Sequence, residues 1–93
     1  MVYNEASQGF EVFDEGVKIG EVTWSIGGKI LIIEHTFVSP DYRGQGIAEE
    51  LVFNAVAKAR REGYKIMPLC PFAKKEFEQK SEYGDVLYVS AGQ

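Results

Sequence analysis

His35-Thr36-Phe37-Val38-Ser39-Pro40-Asp41-Tyr42-Arg43-Gly44-Gln45-Gly46-Ile47-Ala48-Glu49-Glu50-Leu51 is the stretch whose reading decides the fold. It leaves an apolar strand, turns at Ser39-Pro40-Asp41 and opens a helix near Gly46. Proline cannot donate to a strand ladder, so the strand ends before Pro40. Gly44 and Gly46 have no Cβ, which lets a ligand approach the backbone closely. The first amides of a helix lack internal partners, and the helix dipole favours negative charge there. Arg43 adds a full positive charge with planar, forked donors. Together these groups suffice for a pyrophosphate. A glycine pair at a strand-helix junction is also a common way to turn the chain, so the loop alone carries no function.

Upstream, Lys29 to Val38 reads as a strand whose run Ile30-Leu31-Ile32-Ile33 predicts a central position covered on both faces. Gly27-Gly28 is a two-residue hairpin turn before it. Val17 to Ile26 alternates as a second strand with a phase slip at Gly20, which predicts a bulge. Gly9 to Asp14 is a first strand, joined through Glu15-Gly16, and Met1 to Gln8 reads as a loosely held start.

Downstream, Ile47, Ala48, Leu51, Val52, Ala55, Val56 and Ala59 share one face of a helix from Gly46 to about Glu62. Gly63 is its stop. Lys65 to Leu69 is a short strand and Phe72 to about Lys80 a short second helix. Glu82 to Val89 forms either a last strand or an irregular tail. The expected fold is α/β, of the α+β type. Antiparallel N-terminal strands lead into a right-handed β-α-β crossover from Ile30 to Leu69 and a short C-terminal helix, on a mixed, twisted sheet. The strands ending at Val38 and Leu69 should splay, with a ligand entering near their carboxyl ends.

The 93 residues, 45% of them hydrophobic, make one domain, residues 1–93, with a modest core. No apolar run approaches the roughly 18 residues of a membrane span. Met1-Val2-Tyr3-Asn4-Glu5 carries no signal-peptide pattern. One cysteine excludes an internal disulfide framework, and one histidine with one cysteine gives no metal-ligand spacing. These features favour a cytoplasmic protein without a metal or a membrane partner. A net charge of −4 argues against nucleic-acid binding and mildly suits cationic substrates.

The segment Val38 to Ala48 resembles the signature of the GNAT acetyltransferase superfamily: Arg or Gln, two residues, Gly, one residue, then Gly or Ala. Arg43, Gly46 and Ala48 meet it. The resemblance implies that Arg43, Gly44, Gln45, Gly46, Ile47 and Ala48 hold the pyrophosphate of acetyl-CoA. The backbone of Phe37 and Val38 would face pantetheine, with an amide near Val38 polarising the thioester carbonyl. His35-Thr36, this loop, Pro68-Leu69-Cys70-Pro71-Phe72 and Glu82-Tyr83 together resemble the very small GNAT-like proteins, over about residues 9 to 88. Those proteins lack the N-terminal helices that build the acceptor site in larger relatives. The implied activity is transfer of an acetyl group from acetyl-CoA to an amine. The alternative is a non-catalytic module that binds CoA or a partner.

Cys70 ends the short strand before the second helix, where a helix start favours thiolate and an acyl-cysteine is chemically accessible. A free cysteine is commonly a small buried hydrophobe. His35, the only histidine, sits on the central strand with Ile33 and Phe37 on its face and suits a general base. A lone strand histidine is more often structural. Glu34, on the opposite face, is a candidate base by family analogy. The analogy also offers Tyr83 as an acid near the CoA sulfur, although a packed aromatic is the plainer reading. Lys74 and Lys75 could meet the nucleotide 3′-phosphate or simply be solvated. Trp24 and Phe10 read as core.

Overall fold

The computed structural model describes residues 1–89. Its elements are β1 (Val2–Ala6), β2 (Gly9–Asp14), β3 (Val17–Gly27), β4 (Ile30–Val38), α1 (Ile47–Glu62), β5 (Lys65–Pro68) and α2 (Pro71–Gln79). Short 3-10 helices occupy Pro40–Tyr42 and Ser81–Val86. The five strands form one sheet in chain order, antiparallel from β1 to β4 and parallel between β4 and β5.

The core lies between one face of this sheet and the two α-helices. Val12, Val22, Trp24, Leu31, Ile33, Leu51, Val52, Val56 and Ile66 are completely or almost completely enclosed there. Each such side chain is worth about 1.5–3 kcal/mol on burial. Gly46 and Gly63 flank α1 in left-handed conformations, so its residue pattern, starting at Ile47, sets both ends.

The expected cover on both faces of β4 is not found. Leu31 and Ile33 are buried under the helices, whereas Ile30 and Ile32 stay half-buried and Glu34, His35 and Phe37 are exposed. Both helices contribute to the same core, so the apolar run overstated the burial of the second face.

The N-terminus also departs from expectation. Val2–Ala6 is an edge strand paired with β2 rather than a loose start. Its polar residues hide the pattern, and its anchor lies far away in sequence. Glu5 takes an ion pair from Lys58 of α1 at 2.5 Å, and Lys58 also sits over the Trp24 ring.

The bulge expected at Gly20 occurs beside it. Val12 pairs with Gly20 and Phe13 with Lys18, which leaves Ile19 extra. A second bulge was not foreseen. Thr23 pairs with His35 and Trp24 with Ile33, leaving Glu34 extra on β4. The C-terminal segment resolves into the 3-10 helix Ser81–Val86 and a short parallel bridge from Leu87 to Ile66. Among the described residues no helix is long and apolar enough to cross a membrane.

Candidate functional site

Past Ile33 the two parallel strands part. The amides of Leu69 and Cys70 both donate to the Ile33 carbonyl, at 3.0 and 3.2 Å, and turn the chain away into α2. β4 continues to Val38, paired with β3 on one side and, among the described residues, with no strand on the other.

The loop that follows is held by a series of specific bonds. The Ser39 amide donates to the Ile19 carbonyl at 2.7 Å, and the Tyr42 amide to the Ser39 carbonyl at 2.9 Å. Tyr42 Oη donates to Asp14 Oδ2 at 2.7 Å, tying the 3-10 turn to the end of β2. Arg43 Nε donates to the Val38 carbonyl at 3.0 Å, so its guanidinium is fixed across the strand end. Gly44 and Gly46 both have φ of +80°, a region that side-chain-bearing residues avoid. No side chain caps the start of α1. Its first amides are therefore left without a side-chain acceptor, the arrangement that suits an anion.

A cavity of about 500 Å³ opens where the strand end and the helix start meet. Its walls are Thr36, Phe37, Val38, Tyr42, Arg43, Gly44, Gly46, Ile47, Ala48, Glu49 and Phe72. Seven of the residues expected around a cofactor thus surround one space: Phe37, Val38, Arg43, Gly44, Gly46, Ile47 and Ala48. Gln45 lies on the same loop but is not among the cavity walls. Glu49 places a carboxylate in the cavity wall, and Lys80 Nζ donates to it at 3.3 Å. Lys80 is itself 2.7 Å from the buried Glu76, whose hydrogen bond pushes the ammonium pKa well above its ordinary value.

Cys70, His35 and Glu34 are not in the cavity wall, and they are not together. Cys70 is the N-cap of α2 and is 6% exposed. Its thiol donates to Thr36 Oγ1 at 3.4 Å, and Thr36 is itself a wall of the cavity. Burial raises the thiol pKa. The Thr36 hydroxyl and the Ala73 and Phe72 amides outweigh that and hold it below its usual value. His35 lies on the exposed face of the sheet, with its ring stacked on Phe37 at 6.4 Å between centroids. Glu34, on the β4 bulge, accepts a hydrogen bond from Ser25 Oγ at 3.0 Å. The extra residue breaks the strand alternation, so His35 shares a face with Phe37 but not with the enclosed Ile33. Tyr83 is buried, with its ring 5.5 Å from that of Phe77, and does not line the cavity. Lys74 and Lys75 are exposed on α2. Among the described residues no group of His, Cys, Asp and Glu is arranged to hold a metal.

Thr36, Tyr42, Glu49 and Phe72 are wall residues that the sequence motif did not name. Thr36, Tyr42 and Phe72 lay within the stretches that carry the family resemblance, although none was expected in the wall. Glu49 follows from the helix start, on the first turn of α1.

The model of the GCN5-related N-acetyltransferase family matches residues 9–86. The chain belongs to that family. A solved GCN5-like putative N-acetyltransferase from Staphylococcus aureus is 28% identical, with a TM-score of 0.78; the match covers 99% of this chain and 93% of that one. A GNAT-family N-acetyltransferase from Escherichia coli, solved in complex with CoA, is 29% identical with a TM-score of 0.64; it covers 76% of this chain but only 44% of its own. A GNAT-family acetyltransferase from Elizabethkingia anophelis with acetyl-CoA bound has the same fold at 18% identity and a TM-score of 0.63, covering 81% of this chain and 54% of its own. This GCN5-related chain therefore spans about half the length of those two larger relatives. The cavity walls from Thr36 to Glu49 and at Phe72 all fall inside the matched family region.

Proposed function

We propose that this GCN5-related protein is an acetyl-CoA-dependent N-acyltransferase that passes an acetyl group to an amine. One observation carries the reading: an uncapped helix start and an unpaired strand end border the same cavity of about 500 Å³. The pyrophosphate would sit on the amides from Gly44 to Ala48, with Arg43 beside it. The pantetheine arm would run along the open side of β4 at Thr36, Phe37 and Val38, in the manner of an added strand.

The acceptor nitrogen attacks the thioester carbonyl carbon. The C–N bond forms, the C–S bond breaks, and CoA leaves as a thiolate that takes up a proton. A backbone amide at the end of β4 is suited to stabilise the oxyanion. The amine must lose a proton to a base. His35 stacks on Phe37, a wall residue, so its imidazole stands one side chain from the cavity. Glu34 is the neighbouring carboxylate on the same exposed side of the strand.

A second route is favoured by the contact between Cys70 and Thr36. The Cys70 thiolate would attack the thioester, CoA thiolate would leave, and the amine would then take the acetyl group from the cysteine. Thr36 must swing aside for that attack.

Calorimetry with acetyl-CoA and CoA, followed by CoA-thiol release across a broad panel of amines, tests the proposal. Micromolar binding that is lost in Gly46→Glu, with an unchanged circular dichroism spectrum, is the expected result. Absence of binding overturns the reading. Binding without acetyl transfer to any amine favours a CoA-binding module instead.

A further inference from the structure

The two α-helices cover one face of the sheet, and among the described residues no element covers the other. Cross-strand pairing orders the bare face into rows. Glu11 of β2 pairs with Glu21 of β3, and Glu21 with Phe37 of β4. In the next row Thr23 pairs with His35. Further along, Ile32 of β4 pairs with Met67 of β5, both half-buried. Leu69, just past β5, is 61% exposed, and Phe37 is 41% exposed.

These apolar groups stand beside uncompensated negative charge. Glu11, Glu21 and Glu34 set three carboxylates against one ammonium, that of Lys18, which bonds Glu11 at 3.1 Å and Glu21 at 2.5 Å. Glu34 is bonded only by the neutral Ser25 hydroxyl. Lys29 and Lys65, at the other end of β4, are turned to the Tyr64 ring and the Asp85 carbonyl. A cavity of about 180 Å³ lies between the β1–β2 turn and β3, with Ser7, Glu11, Glu21 and Thr23 in its wall. It neighbours the first cavity, because the paired residues Glu21 and Phe37 belong one to each. Paired strands stand about 5 Å apart.

We infer that the acceptor is a polypeptide lying across this face. Its reacting amine is delivered past Phe37, and basic side chains close by in its sequence are set against Glu21, Glu11 and Glu34. The inference rests on the proposed acetyl-transfer reading of the first cavity and adds the class of acceptor. Charge complementarity selects a cation, and the exposed apolar groups select a chain that carries apolar side chains as well. A small polyamine satisfies the carboxylates but leaves Phe37, Ile32, Met67 and Leu69 in water. From Phe37 to Glu11 is two strand spacings, about 10 Å, which an extended chain covers in about three residues. His35, stacked on Phe37, stands on that approach. Lys18 is the internal rival, since an incoming ammonium or guanidinium must share its two carboxylates.

The test supplies acetyl-CoA with spermidine, with simple monoamines, and with a library of N-terminally blocked decapeptides. Each peptide has a fixed central lysine and randomised flanks, and acetylation is read by mass spectrometry. The acetylated pool should be enriched in basic and apolar residues near the fixed lysine. A peptide resynthesised from that pool should exceed spermidine in kcat/KM by about tenfold or more, the scale of burying one apolar side chain. In Glu11→Gln/Glu21→Gln that advantage should shrink about fivefold through KM, the scale of one or two exposed ion pairs, with CoA affinity held. Lys18→Met frees the same carboxylates and should move it the other way; it decides the matter if the double variant does not fold. A pool without basic enrichment, or an enrichment that the variants leave unchanged, overturns the assignment. Spermidine matching the best peptide also overturns it, since the acceptor would then be a small polyamine. Acetylation of small amines and of no peptide removes the polypeptide acceptor and leaves the transferase reading standing. Acetyl-CoA bound but passed to no peptide and no amine removes both.

Discussion

Cys70 Sγ lies 3.4 Å from Thr36 Oγ1, and Thr36, unlike Cys70, is a wall of the cavity. The neutral thiol donates to that hydroxyl, and the hydroxyl can turn to donate to the thiolate. Thr36 thus favours the charged sulfur, while burial opposes it. Thr36→Val should raise the titration midpoint of Cys70, read from the ultraviolet absorbance of the thiolate. An unmoved midpoint would leave the backbone groups of Ala73, Phe72 and Thr36 as the effective partners. Cys70→Ala separates the two catalytic routes. Retained turnover with no acetyl adduct by mass spectrometry removes the cysteine from the chemistry.

Gly46 has φ of +80° at the N-cap of α1. A Cβ there meets no atom within 4 Å, so Gly46→Ala tests backbone strain without a clash. The left-handed conformation costs about 1–2 kcal/mol for an L-residue. Urea denaturation should report a loss of that size, and CoA binding should weaken as the loop relaxes. A variant of native stability would mean that the loop accepts another conformation.

Gly20 works through close approach rather than through φ. A Cβ at this position would stand 2.9 Å from the Phe37 carbonyl oxygen and 2.9 Å from Val12 Cγ1. Gly20→Ala must therefore push β4 away from β3 beneath the cavity wall. The expected cost is about 1–3 kcal/mol, the range for overpacking a core. CoA affinity should fall with it, because Phe37 and Val38 shift together. Full stability with weakened binding would show that the strand yields easily.

Lys58 holds β1 to α1 through Glu5 at 2.5 Å and also bonds Glu62 at 3.0 Å. The hydrogen bond to Glu5 is the main reason its pKa lies above the usual lysine value. The stability it adds is complete below the ordinary lysine pKa and disappears as pH rises through the folded one. Glu5→Gln should flatten that alkaline loss and cost about 0.5–1 kcal/mol at neutral pH, since Glu5 is partly solvated. Faster hydrogen exchange at the β1 amides, without change in α1, is the accompanying signature.

Much of this architecture was legible because its signals are local. The seven apolar positions from Ile47 to Ala59 and the glycines at 46 and 63 define α1 with no tertiary information. The glycine loop that opens α1 was legible for the same reason. β1 was not, because Asn4 and Glu5 look like solvated residues until Lys58, more than fifty residues away in sequence, is brought to them. The burial of Ile30 and Ile32 was overstated because a strand records its apolar content but not how many helices will cover it. At the site, the motif located the wall from Phe37 to Ala48 but gave no depth. Whether Cys70, His35 and Glu34 meet one another depends on the bulge at Glu34 and on the turn into α2. Neither feature has a one-dimensional signature.

The parting of β4 from β5 has a consequence for the behaviour of the protein in solution. The stretch of β4 beyond Ile33 is a strand edge inside the sheet rather than at its rim. Exposed edges recruit other strands, including those of a second copy of the same chain. A ligand lying in that gap would occupy the backbone groups that such a strand would seek. The ligand-free protein should then be the form that associates as concentration rises, and saturation with CoA should return it to single chains by light scattering. On this view the cofactor also acts as a cap on the edge, keeping the protein monomeric as well as supplying its reactive group.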